Sequence, residues 1–467
     1  MKAYLLNKMG IALAVLGTLG ACEDFIEVEA PDYKIIGEEV FNSDETAMSA
    51  LQGIYNELFN ASFINGSLSS VSVLCGLSSD ELQCLKETDH ARLEFEQNNI
   101  LPDNEHVANL WSSAYHVIYM VNSLLEGMGN SDQISPEVRK HLEGEAKFVR
   151  AFAYFQLTNL FGDVPLLLTT EYSSNSLAAR NTKEEVYQQL IEDLRTSMEL
   201  LDGEYRNGDR TQVNKYVAMA LLARAYLYLD DWEMAEAFSG KIIAETATYG
   251  ILMDLDQVFL ANSREAIWQI SPIGRGSTRT NTNEGGSFII HPTFPTLSNL
   301  KLAAGMVDIF SAQDKRLSHW TAFHEGANVH YPFKYKIRNS TAAITEYSMV
   351  FRLAEQILIR AEALARMGHI GQAISQLDII RDRSGLELLA DTDPGIGKEA
   401  LIRAILEERR KELFTEWGHR WFDLKRTGFA GEVLGGSRPL WQDTDLLFPI
   451  PEGEREKNPN LGQNPGY

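Results

Sequence analysis

The chain has 467 residues, a formal charge of −23 and 44% hydrophobic content. Its length exceeds the usual domain of about 100–200 residues, which points to two lobes or one long repeat-built unit with ample material for a core. The acidic excess excludes the basic footprint that nucleic acids require, and it excludes docking on anionic lipid through side-chain charge.

The first 22 residues read as an export signal. Lys2 and Lys8 supply positive charge, and Gly10 to Ala21 is an apolar run broken only by Thr18. That run is shorter than the roughly 20 residues a spanning helix needs. It closes on Leu19-Gly20-Ala21-Cys22, which resembles a bacterial lipobox. The resemblance implies a signal peptide over 1–21 and lipid on the amine and thiol of Cys22. Buried acyl carbons contribute about 0.8 kcal/mol each, so several chains anchor a protein stably. The plainer alternative is a secretory signal with an incidental cysteine. Residues 22–45 then form an acidic tether, and the mature body carries a charge of about −25, because the signal holds two lysines and no acid.

Amphipathic helices follow. Leu51, Ile54, Tyr55 and Leu58 give helical spacing over 46–59 behind Ser43-Asp44, a capping pair. Residues 105–128 carry Leu110, Ala114, Val117, Ile118, Val121 and Leu125 on one face, and Pro136 suits the first turn of a helix running to about 160. Further helices are expected over 183–201 and 214–229. Two stretches, Ala223 to Ala235 and Ala361 to Ala373, repeat one design: small residues twelve apart across a tight polar turn. This resembles a tetratricopeptide helix pair, and an ordinary helical hairpin would give a similar pattern.

Residues 259–352 lose that periodicity. They are rich in Gly, Ser, Thr and Asn and carry Phe288, His291, Phe294, Trp320, Phe323, His324, His330, Tyr331, Phe333 and Tyr335. A short strand is expected over Ala266 to Ile270. Such a loop-rich insert between helical halves is a common place for a binding site, and 62–102 is similarly irregular. Cys75 and Cys84 fit no zinc pattern. A disulfide between them and two free thiols both remain open.

The most charged stretch, Glu407 to Arg426, reads as structure rather than chemistry. Adjacent Glu407 and Glu408 diverge by about 100° on a helix, so they cannot flank one glycosidic bond. Arg409 falls within the apolar stripe of Ile402, Ile405, Leu406, Leu413 and Trp417. It therefore needs a buried partner, for which Glu362 is the candidate. Arg150 sits similarly, and His419 reads as a packed histidine rather than a general base. No phosphate loop, His-Glu-x-x-His helix or Gly-x-Ser-x-Gly elbow occurs in the chain.

The ordered blocks Gly144 to Tyr154, Leu160 to Leu166, Leu222 to Leu227, Arg352 to Glu355 with Arg360 to Ala363, Ile380 to Leu386, Glu408 to Leu413, Arg420 to Arg426, Phe448 to Pro451 and Asn458 to Tyr467 resemble the SusD/RagB family of outer-membrane nutrient-binding lipoproteins. The resemblance implies a mainly α fold of tetratricopeptide-like pairs forming a right-handed scaffold, with a loop-rich insert and a few short strands. It implies a helical part over 46–260 and a second part over 261–467 that holds the binding loops. It also implies a surface lipoprotein of the outer membrane that acts as lid on a SusC-like, TonB-dependent barrel and binds a glycan without catalysis, cofactor or metal. A peptide ligand, or a surface glycoside hydrolase, is the alternative. Sugar rings lie flat on aromatic faces while their hydroxyls seek amides and Arg. The binding residues expected on this ground are Trp320, Tyr331, Phe323 and Phe294, with Arg279, Asn281 and Asn283 as hydroxyl partners.

Overall fold

The structure is a computed structural model that describes residues 40–272, 281–340 and 342–467. Cys22 and Arg279 lie outside the described residues. Helices α1 (Asp44–Asn60), α2 (Val71–Ser78) and α3 (His90–Gln97) lead to two long helices, α4 (Glu105–Gly129) and α5 (Pro136–Phe161). After them come α6 (Lys183–Leu200), α7 (Lys215–Tyr228) and α8 (Trp232–Ile243), then α9 (Leu353–Arg366), α10 (Ile370–Arg383), α11 (Lys398–Leu413) and α12 (His419–Arg426). The expected starts hold for stated reasons. The Ser43 side chain accepts from Thr46 N, Pro136 sits at the first position of α5, and Thr182 with Glu185 forms a capping box on α6.

Helices that follow one another in sequence pack against one another: α4 on α5, α5 on α6, α6 on α7, α7 on α8, α8 on α9, and α9 on both α10 and α11. The two repeated stretches are the turns of α7–α8 and α9–α10. Ala223, Ala235, Ala361 and Ala373 are all fully buried where the paired helices meet. Asp230 and Gly368 make the tight turns with φ of 59° and 85°. No helix among the described residues is long and apolar enough to cross a membrane.

Three small antiparallel pairings stitch the irregular segments to this stack. β1 (Leu82–Cys84) pairs with β3 (Leu300–Leu302), joining the 62–102 region to the insert. β2 (Ala266–Ile270) pairs with β6 (Ser348–Arg352), and β4 (Thr321–His324) with β5 (Val329–Pro332) forms a hairpin. The core beneath is aromatic. Trp268 packs edge-on to Phe148 at 5.1 Å and to Phe152 at 5.6 Å, and Trp417 meets Phe152 at 5.9 Å.

Buried arginines are paired throughout. Arg150 forms two bonds of 2.8 and 2.9 Å to Asp193, and Arg224 binds Glu355 at 2.6 and 2.7 Å. The expected Arg409–Glu362 pair is corrected. Arg409 binds Asp423 at 2.8 Å, while Glu362 takes Arg426 at 2.8 and 2.6 Å. Asp423 bridges the two arginines, so one acid of α12 serves the role assigned to α9. Cys75, which is buried, and the half-buried Cys84 are both free thiols in this structure.

The densest ionic cluster lies under the insert. Arg316, Arg352 and Arg383 surround Glu412, with Glu265, Glu408 and Asp314 completing the ring, and all seven are buried. Burial raises the Glu412 carboxyl, but the guanidiniums of Arg383, Arg352 and Arg316 outweigh burial and hold it well below the carboxylate range. A left-handed turn completes the cluster: Thr415, Trp417 and Gly418 have φ of 57°, 50° and 72°. Positive φ is costly for a β-branched residue such as Thr415. The turn delivers Glu416 to Arg352 at 2.8 Å and to Lys334 at 2.5 Å.

Candidate functional site

The two irregular segments expected to share a binding face do meet. A cleft of about 400 Å³ lies between residues 67–69 on one side and the short helix Asn283–Phe288 with Arg338 and Asn339 on the other, with Phe59 of α1 beside them. Asn283 Nδ2 donates to Asn65 O at 2.9 Å, and Ser287 Oγ donates to Gly66 O at 3.2 Å. Two glycines permit this approach. A side chain on Gly66, whose φ is +69°, would strike the Glu284 carboxyl, and one on Gly285 would sit 2.1 Å from the Ile337 carbonyl oxygen.

Within the cleft, Thr282 caps the short helix by accepting from Gly285 N at 3.2 Å. Asn281 Oδ1 accepts from Thr345 N and Glu346 N, both at 3.3 Å. Its Nδ2 has no partner among the described residues although the side chain is buried. Leaving a buried amide donor unused costs about 1–3 kcal/mol, and a ligand acceptor would recover it. Arg338 Nε is spent on Ile289 O at 3.1 Å.

From the cleft the chain continues along an exposed aromatic ridge. Phe294 is 58% exposed, and its ring lies 5.4 Å from that of His291, whose Nδ1 accepts from Phe294 N at 3.0 Å. His324 of β4 lies 3.3 Å from the Pro292 carbonyl oxygen, which ties the ridge to the hairpin. On the hairpin, Phe323 is 47% exposed and faces its cross-strand neighbour His330 at 4.8 Å between ring centroids. Tyr331 stands on the opposite face of the hairpin, edge-on to Phe333 at 5.9 Å.

Glu284 forms the floor behind Gly66. It is buried, hydrogen-bonded to Ser348 Oγ, and burial pushes its carboxyl up to about 7, with the charge of Glu346 adding to the rise. Glu346 is itself raised by burial, and its oxygens accept from Lys336 N and Ile337 N at 2.6 and 3.3 Å. Among the described residues no group of three His, Cys, Asp or Glu could hold a metal ion.

The expected residues divide. Asn281 and Asn283 line the cleft, and Phe294, Phe323 and Tyr331 stand on the ridge and hairpin. Trp320 is corrected. It is 0% exposed, donates from Nε1 to Leu255 O at 3.1 Å, and packs on Phe259 at 5.7 Å. Lys334, Arg383 and Arg352 crowd it at 4.8, 5.3 and 5.6 Å, so its faces serve cations and not a sugar. Asn283 spends its amide on the Asn65 carbonyl, leaving its Oδ1 for any contact. Phe59 of α1 was passed over, and residues 67–69 and the Arg338–Asn339 pair lie within the two segments expected to carry the binding face but were not singled out. The polar cluster Arg338-Asn339-Ser340 was the available signal for the last of these.

Two family models match the chain. One, described as "Starch-binding associating with outer membrane", covers residues 24–227, and one described as "SusD family" covers 311–467. SusD-like protein P2 of Formosa agariphila is 26% identical over the full length of both chains. Among solved structures, a SusD superfamily protein from Bacteroides vulgatus superposes with a TM-score of 0.81 at 21% identity, over 91% of this chain and 100% of that one. A structure named "Laminarin binding SusD-like protein" gives 0.77 at 24% identity, again over 91% and 100%. At these identities the structural likeness speaks for the mainly helical fold.

Proposed function

Because this chain belongs to the SusD/RagB family, we propose that it binds an oligosaccharide or polysaccharide on its loop-rich face at the outer membrane. It then hands the ligand to a SusC-like, TonB-dependent barrel that it covers as a lid. In this reading Cys22 carries the lipid that holds the body at the cell surface. One observation carries the proposal: a polar cleft with an unused amide, Asn281 Nδ2, is followed along the chain by exposed Phe294, and the His324 contact to the Pro292 carbonyl ties that segment to the hairpin bearing Phe323. Rings supply apolar faces for stacking, and the cleft supplies donors and acceptors for hydroxyls. The family description speaks of starch and one structural neighbour's name of laminarin, so α- and β-linked glucans are the first ligands to try.

We read the site as one that holds its ligand unchanged. The carboxylates nearest the cleft support this: Glu284 is sealed behind Gly66, and Glu346 is occupied by two backbone amides. The test is a glycan array and peptide-pool screen on residues 22–467. A glycan signal that falls by about 1–3 kcal/mol in Phe323→Ala and Phe294→Ala, the scale of base–aromatic stacking, supports the proposal. A signal from peptides alone transfers the site to a peptide ligand, and release of reducing sugar identifies a hydrolase.

A further inference from the structure

A second cavity, of about 410 Å³, shares no lining residue with the loop-rich cleft and lies where α5 ends, α6 begins and α12 meets the C-terminal segment. Two amines line it. Lys425 Nζ makes a single hydrogen bond, 2.5 Å to Asn159 O, and Lys183 Nζ stands 5.5 Å from the Tyr187 ring. Neither forms an ion pair with a carboxylate among the described residues, whereas the third cation of the wall, Arg426, is fully engaged by Glu362 and Asp423. Asp443 is the one acid that lines the cavity, and it is exposed.

Two more donors are unspent. The Tyr228 hydroxyl and Thr444 Oγ1 are buried without partners among the described residues. The remaining wall is apolar, built by Phe422, Leu446 and Leu447. Burial, with the charge of nearby Lys183 adding to it, draws Lys425 down to about 7. An anion between the two amines would reverse that, since opposite charge favours the protonated amine. The volume is within the range of small-molecule pockets.

We propose that this cavity is a second binding site, separate from the glycan face, for a small organic carboxylate. Lys425 and Lys183 take the charged end, Tyr228 and Thr444 donate to its oxygens, and the apolar wall takes a short aliphatic or aromatic body. Such a site would let a small acid bind the scaffold independently of the nutrient on the loops.

The proposal is tested by calorimetric titration of the mature protein with sodium hexanoate and sodium benzoate, against hexanamide and benzamide as neutral matches. Saturable carboxylate binding is expected, at least tenfold tighter than for the amides. Lys425 is enclosed and its replacement risks the fold, so the partly exposed Lys183 carries the main variant. Lys183→Met should weaken carboxylate binding at least fivefold, and Thr444→Val should weaken it less, with unchanged melting temperatures. The proposal is overturned if neither carboxylate saturates, if the amides bind equally, or if Lys183→Met binds like the parent. Glycan binding in the same variants should not move, so loss of this site and loss of the glycan site are read separately.

Discussion

Trp320 and Phe323 stand three positions apart in the chain and belong to two different kinds of region. Trp320 is sealed among Lys334, Arg352 and Arg383, over a cluster of buried ion pairs that joins the insert to α10 and α11. Phe323 is half exposed on a two-stranded hairpin, with its ring against that of its strand partner His330. The contrast teaches that the insert has a base and a rim. The base is held by charge and aromatic packing that exclude water, and the rim is free to meet a ligand. An aromatic side chain in this insert carries no information about which it belongs to until its neighbours are known.

The comparison can be broken most easily at the base. Trp320→Ala should cost about 3–5 kcal/mol of unfolding free energy in urea titration, the usual range for an enclosed Trp. Arg352→Met should cost a similar 3–5 kcal/mol, because Glu412 and Glu416 lose a buried partner. A loss below about 1 kcal/mol in both would mean that the base does not hold the insert. Smaller, and dependent on pH, is the effect of Glu284. Its carboxyl titrates near 7 in the fold and near 4.5 when unfolded. The neutral acid is therefore the stabilising form, present in full below about pH 4.5 and lost as pH rises through about 7. Glu284→Gln should remove that decline, leaving the variant ahead of the parent by on the order of 2–3 kcal/mol at pH 8 and level with it at pH 4.5. Parallel pH profiles for the two proteins would refute it.

At the seam between base and rim, Gly285→Ala should cost about 1–3 kcal/mol through collision with the Ile337 carbonyl, and it should distort the cleft. At the rim itself, Phe323→Ala and Phe294→Ala should stay within about 0.5 kcal/mol of the parent in stability. A melting temperature that falls as far in Phe323→Ala as in Trp320→Ala would erase the distinction altogether.

Much of the scaffold was legible in the sequence, because helix starts are local events. Ser43, Pro136 and the Thr182–Glu185 box act within one turn, and the alanines of the two repeated stretches declare a close helix contact by their size alone. Partner choice was not local. Arg409 plainly needed an acid, but Asp423 and Glu362 both lie within reach of Arg409 and Arg426, and the sharing follows from how α9, α11 and α12 pack. Trp320 was misplaced for the same reason: the three cations around it come from β6, α10 and the strand-free segment after β5. The meeting of the two loop segments rests on the β1–β3 pairing and on Gly66, neither of which announces its partner 200 or more residues away.

The left-handed turn at Thr415–Gly418 gives the arrangement a further property. It brings Glu416 to two points of the insert, Lys334 just after β5 and Arg352 at the end of β6. Lys334 lies at the hairpin's root and Arg352 outside the hairpin, so neither attachment is at its tip, where Asn328 closes the turn. Rewriting residues 323–330 would thus leave the Glu416 moorings intact and release only the His324 contact to the Pro292 carbonyl. The same chassis could be refitted for a different nutrient by exchanging a handful of residues in the crown.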